Sequence, residues 1–184
     1  NVDFEVNRGE VVALLGDNGA GKSTLIKCIS GVYRADHGNI HFNGQEITGQ
    51  SPNEVRKRGI ETIYQDLALA ENLDVGANVF LGKEKLKRIF GFISVTDDEF
   101  MRKEAVGVLD RLDIHIPSLK QKLVNLSGGQ RQAVAIARAM YWNAQLVIMD
   151  EPTAALGVPE QRKVLSLIRS LREQNIPVIL ISHT

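Results

Sequence analysis

Residues 16–23 read GDNGAGKS, a glycine-rich stretch that ends in lysine and serine. It follows Val11 to Leu15, an apolar run that predicts a buried strand, and it precedes a predicted helix from about Lys22 to Ser30. The pattern G-x-x-x-x-G-K-[ST] between a strand and a helix is typical of a phosphate-binding loop. The glycines let backbone N–H groups face phosphate oxygens, and the helix dipole favours the same negative charge.

The loop and the first turn of its helix supply the first candidate ligand contacts. Lys22 is expected to pair with the β- and γ-phosphates of a nucleotide, and the Ser23 hydroxyl is expected to ligate Mg²⁺. The alternative is an ordinary glycine-rich turn. The predicted nucleotide contacts of this segment are Asn18, Gly19, Ala20, Gly21, Lys22, Ser23 and Thr24.

Two carboxylates follow a second buried strand. Leu146 to Met149 is apolar, and Asp150 and Glu151 come directly after it. If this strand is parallel to the first, its carboxyl end lies beside the phosphate loop, where ligands bind in such sheets. Asp150 is then placed to hold Mg²⁺ through water, and Glu151 is placed to polarise an attacking water. A solvated acidic loop is the alternative.

Two further polar residues follow predicted strands. Gln65 comes after Ile60 to Tyr64, and His183 comes after Val178 to Ser182. The Gln65 amide oxygen is a candidate ligand of Mg²⁺ and is predicted to contact the attacking water. The His183 imidazole is predicted to reach the γ-phosphate. Each alone is typical of a surface residue. Their convergence with the other strand ends on one edge of the sheet favours a catalytic site.

The remaining pattern predicts an α/β fold with two parts. Strands that alternate with helices indicate a mostly parallel sheet covered on both faces. An opening strand is predicted at Val2, Phe4 and Val6, and a small antiparallel part at Asn39 to Phe42 with Ile47 in its partner strand. From Asp66 to about Asn125 strand signals are absent. A capping box over 96–99 predicts a helix there, so this middle segment is predicted to be a helical subdomain.

Composition limits the classes of function. The 184 residues carry 22 basic and 22 acidic side chains, which argues against a broad footprint for nucleic acid. Cys28 is the single cysteine, which fits a reducing compartment. No apolar run approaches the ~18 residues of a membrane span, and no signal peptide pattern opens the chain. The missing initial Met and the apolar strands at both ends lead us to expect a fragment of a longer intracellular protein.

A second glycine-rich helix start identifies the kind of protein that the chain resembles. Residues 126–130 read LSGGQ, and a serine-capped helix explains only the serine of that run. With the other motifs in this order, the sequence resembles the ATP-binding cassette (ABC) ATPases. The matching parts are Walker A at 16–23, the Q-loop Gln65, the signature 126–130, Walker B with its glutamate at 146–151, and the H-loop His183.

The resemblance implies one nucleotide-binding domain with a P-loop core at 1–65 and 144–184 and a helical signature subdomain at about 66–143. It implies ATP and Mg²⁺ as cofactors. It also implies a head-to-tail pair of cassettes, in which the signature of one serves the ATP bound by the other. The residues given that role are Ser127, Gly128, Gly129 and Gln130. Two departures are Gly157, where the family usually has aspartate, and the adenine-stacking aromatic residue, which usually lies upstream of this chain.

Within the family, four segments resemble the ATPases of bacterial monosaccharide importers: 65–67, 72–75, 78–82 and 151–157. Such subunits carry two cassettes, and this chain resembles the first. The resemblance implies a transmembrane permease partner, an indirect sugar-binding partner and a peripheral place on the cytoplasmic face of the membrane. The alternatives are a soluble ABC ATPase of DNA repair or translation, and a nucleotide-gated scaffold without turnover. A guanine-nucleotide switch lacks its Asn-Lys-x-Asp motif here.

Overall fold

The computed structural model describes residues 2–183. In chain order its elements are β1 (Val11–Leu15), α1 (Lys22–Ile29), β2 (His41–Phe42), β3 (Gln45–Glu46), α2 (Pro52–Lys57), β4 (Ile60–Ile63), α3 (Val75–Val79), β5 (Leu86–Ile89), β6 (Ile93–Thr96), α4 (Asp98–Arg111), α5 (Gly128–Tyr141), β7 (Leu146–Asp150), α6 (Val158–Glu173) and β8 (Val178–Ser182). They fall into two compact units. The first holds residues up to Asp66, Asn143–Ala154 and residues from Leu171, and the second holds Leu67–Trp142 and Ala155–Ser170.

The first unit contains a parallel sheet in the order β1-β8-β7-β4. All three neighbouring pairs are parallel, so their carboxyl ends share one edge. In the register, Leu15 lies opposite Ser182, and Asp150 lies opposite Ile181. The segments that follow β1, β4, β7 and β8 therefore emerge at the same edge. This arrangement confirms the predicted α/β fold with a parallel sheet.

Helix α1 and the small antiparallel part pack on this sheet. One apolar cluster joins α1, α2 and the strands: Ile26, Ile29, Ile47, Val55, Ile60, Leu146, Ile148, Ile179 and Ile181. Hairpin β2–β3 turns at Asn43 and Gly44, both with positive φ as a two-residue type I′ turn requires. Ile47 is buried, and its N–H donates to Ile40 O at 2.8 Å, which extends the predicted pairing.

The strand predicted at residues 2–6 was wrong, and strand β1 has its predicted bounds but not its predicted burial. Residues 2–6 have no assigned strand, although Phe4 and Val6 pack against the apolar cluster. Alternating apolar residues give such a segment a buried face, but a strand also needs paired backbone groups. Strand β1 is not fully buried, since Leu15 is 66% exposed. It lies at the end of the strand order, whereas the central β7 is buried over Leu146–Met149.

The second unit is mainly helical. Helices α3, α4 and α5 pack on one another, and Asn78 is fully buried among them. Its side chain accepts from Ala70 N at 2.8 Å and donates to the Asp74 carbonyl at 2.9 Å, so one amide fixes the loop that precedes α3. This satisfies the polar groups that a buried loop must pair.

Two predictions for the middle segment were wrong in detail. The cap of α4 is Asp97, whose carboxylate accepts from Phe100 N at 3.3 Å, and not Thr96. Thr96 instead pairs with Leu86 in hairpin β5–β6. That hairpin was not predicted. Its strands are exposed at nearly every position, and a strand without a buried face leaves no alternating pattern to detect.

The second unit joins residues 67–142 with residues 155–170. Leu156 and Glu160 lie against Gly128 and Gly129 at the start of α5, which accounts for the grouping. Among residues 2–183, no helix combines the length and the hydropathy needed to cross a bilayer.

Candidate functional site

The phosphate loop connects β1 to α1, and open space lies next to its glycines. Gly19 and Gly21 have φ of 86° and 92°, and a Cβ at either position would meet nothing within 4 Å. Gly21 caps α1, and no side chain bonds the N-terminal N–H groups of that helix. A helix start with free N–H donors is suited to an anion. Lys22 Nζ donates to the Gly16 carbonyl and, at 3.0 Å, to the Asp17 carbonyl, so the ammonium lies over the loop.

Asp150 ends the buried central strand β7. Burial raises the pKa of the Asp150 carboxyl above its usual range, and the Glu151 carboxylate raises it further. Lys22 and Lys27 act in the opposite direction. A carboxylate that is costly to ionise gains from a nearby cation, because a positive charge favours its charged form. A cation bound next to Asp150 would therefore favour the ionised form of its carboxyl.

Glu151 lies in a strained backbone position next to Asp150. Its φ is 50°, in the left-handed region that non-glycine residues rarely adopt. Glu151 N donates to Ile181 O at 3.0 Å, so strand β8 holds this conformation. Such strain costs roughly 1–3 kcal/mol and persists where surrounding structure enforces it. It turns the chain sharply after β7 and directs the side chain toward His183.

Glu151 and His183 are joined by a short polar contact. Glu151 Oε1 lies 2.7 Å from His183 Nδ1. A carboxylate in its ionised form only accepts hydrogen bonds, so such a contact would require the tautomer of His183 with its hydrogen on Nδ1. The Glu151 side chain is 15% exposed, and that of His183 is 54% exposed. The Glu151 carboxylate is thus largely buried, and the His183 imidazole is exposed.

The phosphate loop, the two carboxylates, Gln65 and His183 surround one cleft of about 410 Å³ in the first unit. Its lining residues are Asn18, Gly19, Ala20, Gly21, Lys22, Ser23, Thr24, Gln65, Asp150, Glu151, Ala154, Ile181 and His183. Every residue predicted from the strand ends is in this set. A larger cavity of about 1110 Å³ with a mixed polar and apolar lining lies elsewhere in the unit and contains none of them.

Sequence reasoning missed two lining residues and one interaction. Ala154 follows Glu151 in the next turn, and Ile181 precedes His183 by two positions in β8. Ile181 is an ordinary strand residue, so nothing in the sequence marks it. The Glu151–His183 contact was also not predicted. The shared strand edge was its only signal, since both residues directly follow neighbouring strands.

The predicted signature residues belong to the second unit and open α5. Ser127 Oγ accepts from Gln130 N at 3.3 Å, and Gln130 Oε1 accepts from Ser127 N at 3.0 Å. This reciprocal capping box fixes the helix start. Arg131 secures the preceding turn by donating to the Leu126 carbonyl at 3.2 Å and pairing with Glu71 at 2.8 Å.

Both signature glycines lie in close packing and have no positive φ. A Cβ at Gly128 would lie 2.6 Å from Leu156 Cδ2, and one at Gly129 would lie 3.1 Å from Glu160 Cβ. Glu160 also lies beside the position where the family usually has aspartate. A Cβ at Gly157 would lie 2.7 Å from Glu160 Oε2, which is the flexible end of that side chain and is able to move away. Glu160 therefore restricts position 129 through its Cβ and restricts position 157 much less.

Comparison with known proteins gives the same assignment as the motifs. The ABC transporter family model matches residues 1–154. The xylose/arabinose import ATP-binding protein of Sulfolobus acidocaldarius is 53% identical over 99% of this chain and 70% of its own length. The fructose import ATP-binding protein of Rhizobium meliloti is 48% identical over 98% and 71%. A ribose import ATP-binding protein of Rubrobacter xylanophilus is 44% identical over 99% of this chain but only 35% of its own length.

Solved structures share the fold. A nucleotide-free ATP-binding cassette from an ABC transporter has a TM-score of 0.83 and 30% identity, over 98% of this chain and 73% of that one. A dimeric cassette in a post-hydrolysis state bound to ADP and Pi has a TM-score of 0.77 and 29% identity, over 100% and 79%. From the motifs, the sheet and these comparisons, the chain belongs to the ABC transporter family of ATPases.

Proposed function

We propose that this chain binds Mg-ATP in the cleft of the first unit and hydrolyses it to energise import of a monosaccharide. One observation carries the proposal. The phosphate loop, Asp150 and the Glu151–His183 pair line a single cleft at the carboxyl edge of the parallel sheet. That edge is where open α/β sheets bind their ligands. The cleft combines an anion site, a cation site and a base, which are the parts that phosphoryl transfer to water requires.

The phosphate loop and Lys22 bind the nucleotide in this proposal. Free N–H groups at the start of α1 face the β-phosphate, and Lys22 exchanges part of its carbonyl contacts for β- and γ-phosphate oxygens. The residues that fit Mg²⁺ are Ser23, Asp150 and Gln65, which offer the oxygen ligands this ion prefers. When bound, the ion neutralises charge that develops on the phosphates. The raised pKa of Asp150 supports this fit.

Glu151 and His183 act on the attacking water. Water attacks the γ-phosphorus, the bond to the bridging β–γ oxygen breaks, and ADP leaves with the electron pair of that bond. Glu151 orients the water and accepts its proton. A hydrogen on His183 Nδ1 would hold the carboxylate in position, and Nε2 would be left to contact the γ-phosphate. Gln65 contacts the same water from the end of β4.

The signature turn serves a second copy of the cassette in this proposal. The start of α5 offers a dipole and exposed residues at Ser127 and Gly128, which suit a γ-phosphate bound by another chain. One similar solved structure is a dimer bound to ADP and Pi, which supports a pair of cassettes. The pair can be formed by two chains or by two cassettes in one polypeptide.

A monosaccharide is the transported substrate class that the relatives support. Proteins with 44–53% identity are named for import of xylose/arabinose, fructose and ribose. We therefore assign a transmembrane permease as direct partner, a sugar-binding protein as indirect partner, and the cytoplasmic face of the membrane as location. An ATP-gated scaffold without turnover would not need Gln65, Glu151 and His183 together in one cleft.

The binding half of the proposal is tested with Lys22→Ala. We expect native protein to bind ATP in the presence of Mg²⁺ and Lys22→Ala to bind it at least about tenfold more weakly, because a charge-assisted contact is lost. Lys57→Ala, at an exposed residue of α2 outside the cleft, is the matched control and should bind like native. Equal ATP affinity in Lys22→Ala and Lys57→Ala would refute the assignment of this cleft.

A further inference from the structure

Hairpin β5–β6 in the second unit has an exposed apolar tip. Phe90 and Phe92 flank Gly91 and are 84% and 81% exposed. Leu86, Ile89 and Ile93 continue the exposed apolar surface along both strands. A two-stranded hairpin is only marginally stable in water without a hydrophobic partner. Clustered exposed apolar side chains are typical of a binding surface, whereas isolated ones are not.

The first strand of the hairpin is also basic. From Lys85 to Thr96 the sequence contains three basic side chains and no acidic one. The nearest acidic residues flank this stretch at its base: Glu84, Asp97, Asp98 and Glu99. Glu84 accepts from Gly82 N at 2.9 Å, and Asp97 both caps α4 and pairs with Lys87 at 3.3 Å. The acidic groups at the base are therefore partly engaged in local structure.

Each face of strand β5 carries one basic and one apolar side chain. In the register, Lys87 lies opposite Val95 and Ile89 lies opposite Ile93, which places Lys87 and Ile89 on one face. Leu86 and Arg88 lie on the other face. Protein interfaces concentrate apolar residues in a core with few charges. This mixture is instead typical of segments that lie in a membrane interface, where aromatic rings enter the headgroup region and Lys or Arg meets anionic lipid.

We propose that hairpin β5–β6 binds directly to the surface of an anionic membrane. Phe90 and Phe92 insert at the boundary between headgroups and acyl chains, and Lys85 and Arg88 contact anionic headgroups. A basic residue close to an anionic leaflet strengthens binding about fivefold. The contact requires neither ATP hydrolysis nor the permease, so it stands or fails separately from the proposed catalytic function.

The test is flotation of the full chain with vesicles, without nucleotide. Vesicles of phosphatidylcholine with about a third phosphatidylglycerol should bind the native chain. Vesicles of pure phosphatidylcholine should bind it at least about fivefold less, because at least one contact with an anionic headgroup is lost. Phe90→Ser/Phe92→Ser should lower binding to the anionic vesicles at least about tenfold. Val158→Ser, at another exposed apolar residue of the second unit, should bind like native. Unchanged melting temperatures will show that the variants are folded.

Insertion is measured separately by fluorescence. The native chain has a single tryptophan, Trp142, so Phe92→Trp in a Trp142→Phe background gives a reporter at the tip. Lipids brominated near the headgroup should quench this reporter more strongly than Trp142 in the native chain. Equal flotation of native and Phe90→Ser/Phe92→Ser, absence of vesicle binding, or binding that appears only with a permease present would each overturn the proposal.

Discussion

Glu151 Oε1 lies 2.7 Å from His183 Nδ1 because the two residues follow the neighbouring parallel strands β7 and β8. Asp150 pairs with Ile181 in the register, and Glu151 N donates to Ile181 O. The sheet itself therefore sets the separation of the carboxylate and the imidazole. The local positive φ of Glu151 completes the geometry.

Replacement of His183 tests this relationship. His183→Ala leaves Glu151 without its orienting donor, so we expect kcat for ATP to fall about 100-fold with little change in KM. His183→Gln restores an N–H donor and should recover part of kcat. His115→Ala, at an exposed histidine of the second unit, is the control and should leave kcat unchanged. Similar kcat for native protein and His183→Ala would contradict the assigned role.

Asp150→Asn separates stability from function. The pKa of Asp150 is raised in the folded state, so the folded protein holds this proton more tightly and stability falls as pH rises from the usual carboxyl range through the raised pKa. Asn does not ionise, so the variant does not lose this stability as the pH rises. We expect Asp150→Asn to melt at a higher temperature than native at pH 7 without Mg²⁺, and the difference to shrink near pH 4.

The same substitution removes a ligand of the proposed cation site, so Mg²⁺-dependent ATP hydrolysis should be lost. Thermal melting across pH and an ATPase assay measure the two effects. A lower melting temperature for Asp150→Asn at pH 7 would show that the buried charge is not costly and would remove one support for the cation site.

Ser127 has a structural role and a proposed functional role that two variants distinguish. Ser127→Ala removes the cap of α5 and should destabilise the protein by about 1 kcal/mol. Ser127→Asp keeps a good cap and adds negative charge where the γ-phosphate of a partner cassette is proposed to bind. We expect it to melt like native but to hydrolyse ATP at least about tenfold more slowly. Native turnover in Ser127→Asp would leave Ser127 as a cap alone.

Gly157 lies next to the carboxylate of Glu160. Gly157→Asp brings two carboxylates together at an exposed position, and the flexible end of Glu160 is able to move away, so we expect a loss of only about 0.5 kcal/mol in the free energy of unfolding. The double variant Gly157→Asp/Glu160→Ala should recover most of that loss. Gly107→Asp, where a Cβ meets open space, should change stability little. Chemical denaturation measures all three, and failure of the double variant to recover would contradict the explanation.

The site was largely predictable because it depends on strand ends. An apolar run followed by a polar residue marks the end of a buried strand, and parallel strands bring such ends together. This reasoning placed Lys22, Gln65, Asp150, Glu151 and His183 around one cleft. It did not give the Glu151–His183 contact, which depends on the register of β7 and β8 and on a backbone conformation that no local pattern announces.

Tertiary competition explains the other failures. Thr96 and Asp97 are adjacent candidates for the N-cap of α4. Thr96 pairs with Leu86 in the hairpin, and Asp97 is the N-cap. The requirement for glycine at 128 depends on Leu156, which is distant in sequence. The secondary-structure propensities of the neighbouring residues predict neither the pairing of Thr96 nor the packing of Leu156 against Gly128.

The most direct test of the central claim is single-turnover hydrolysis of Mg-ATP by Glu151→Gln. The amide keeps the shape of the side chain but does not accept the proton of water, so ATP should still bind with near-native affinity while hydrolysis falls at least about 100-fold. Glu46→Gln, in hairpin β2–β3 outside the cleft, is the control and should hydrolyse like native. Near-native hydrolysis by Glu151→Gln would contradict the account, because the base of the proposed site would then lie elsewhere.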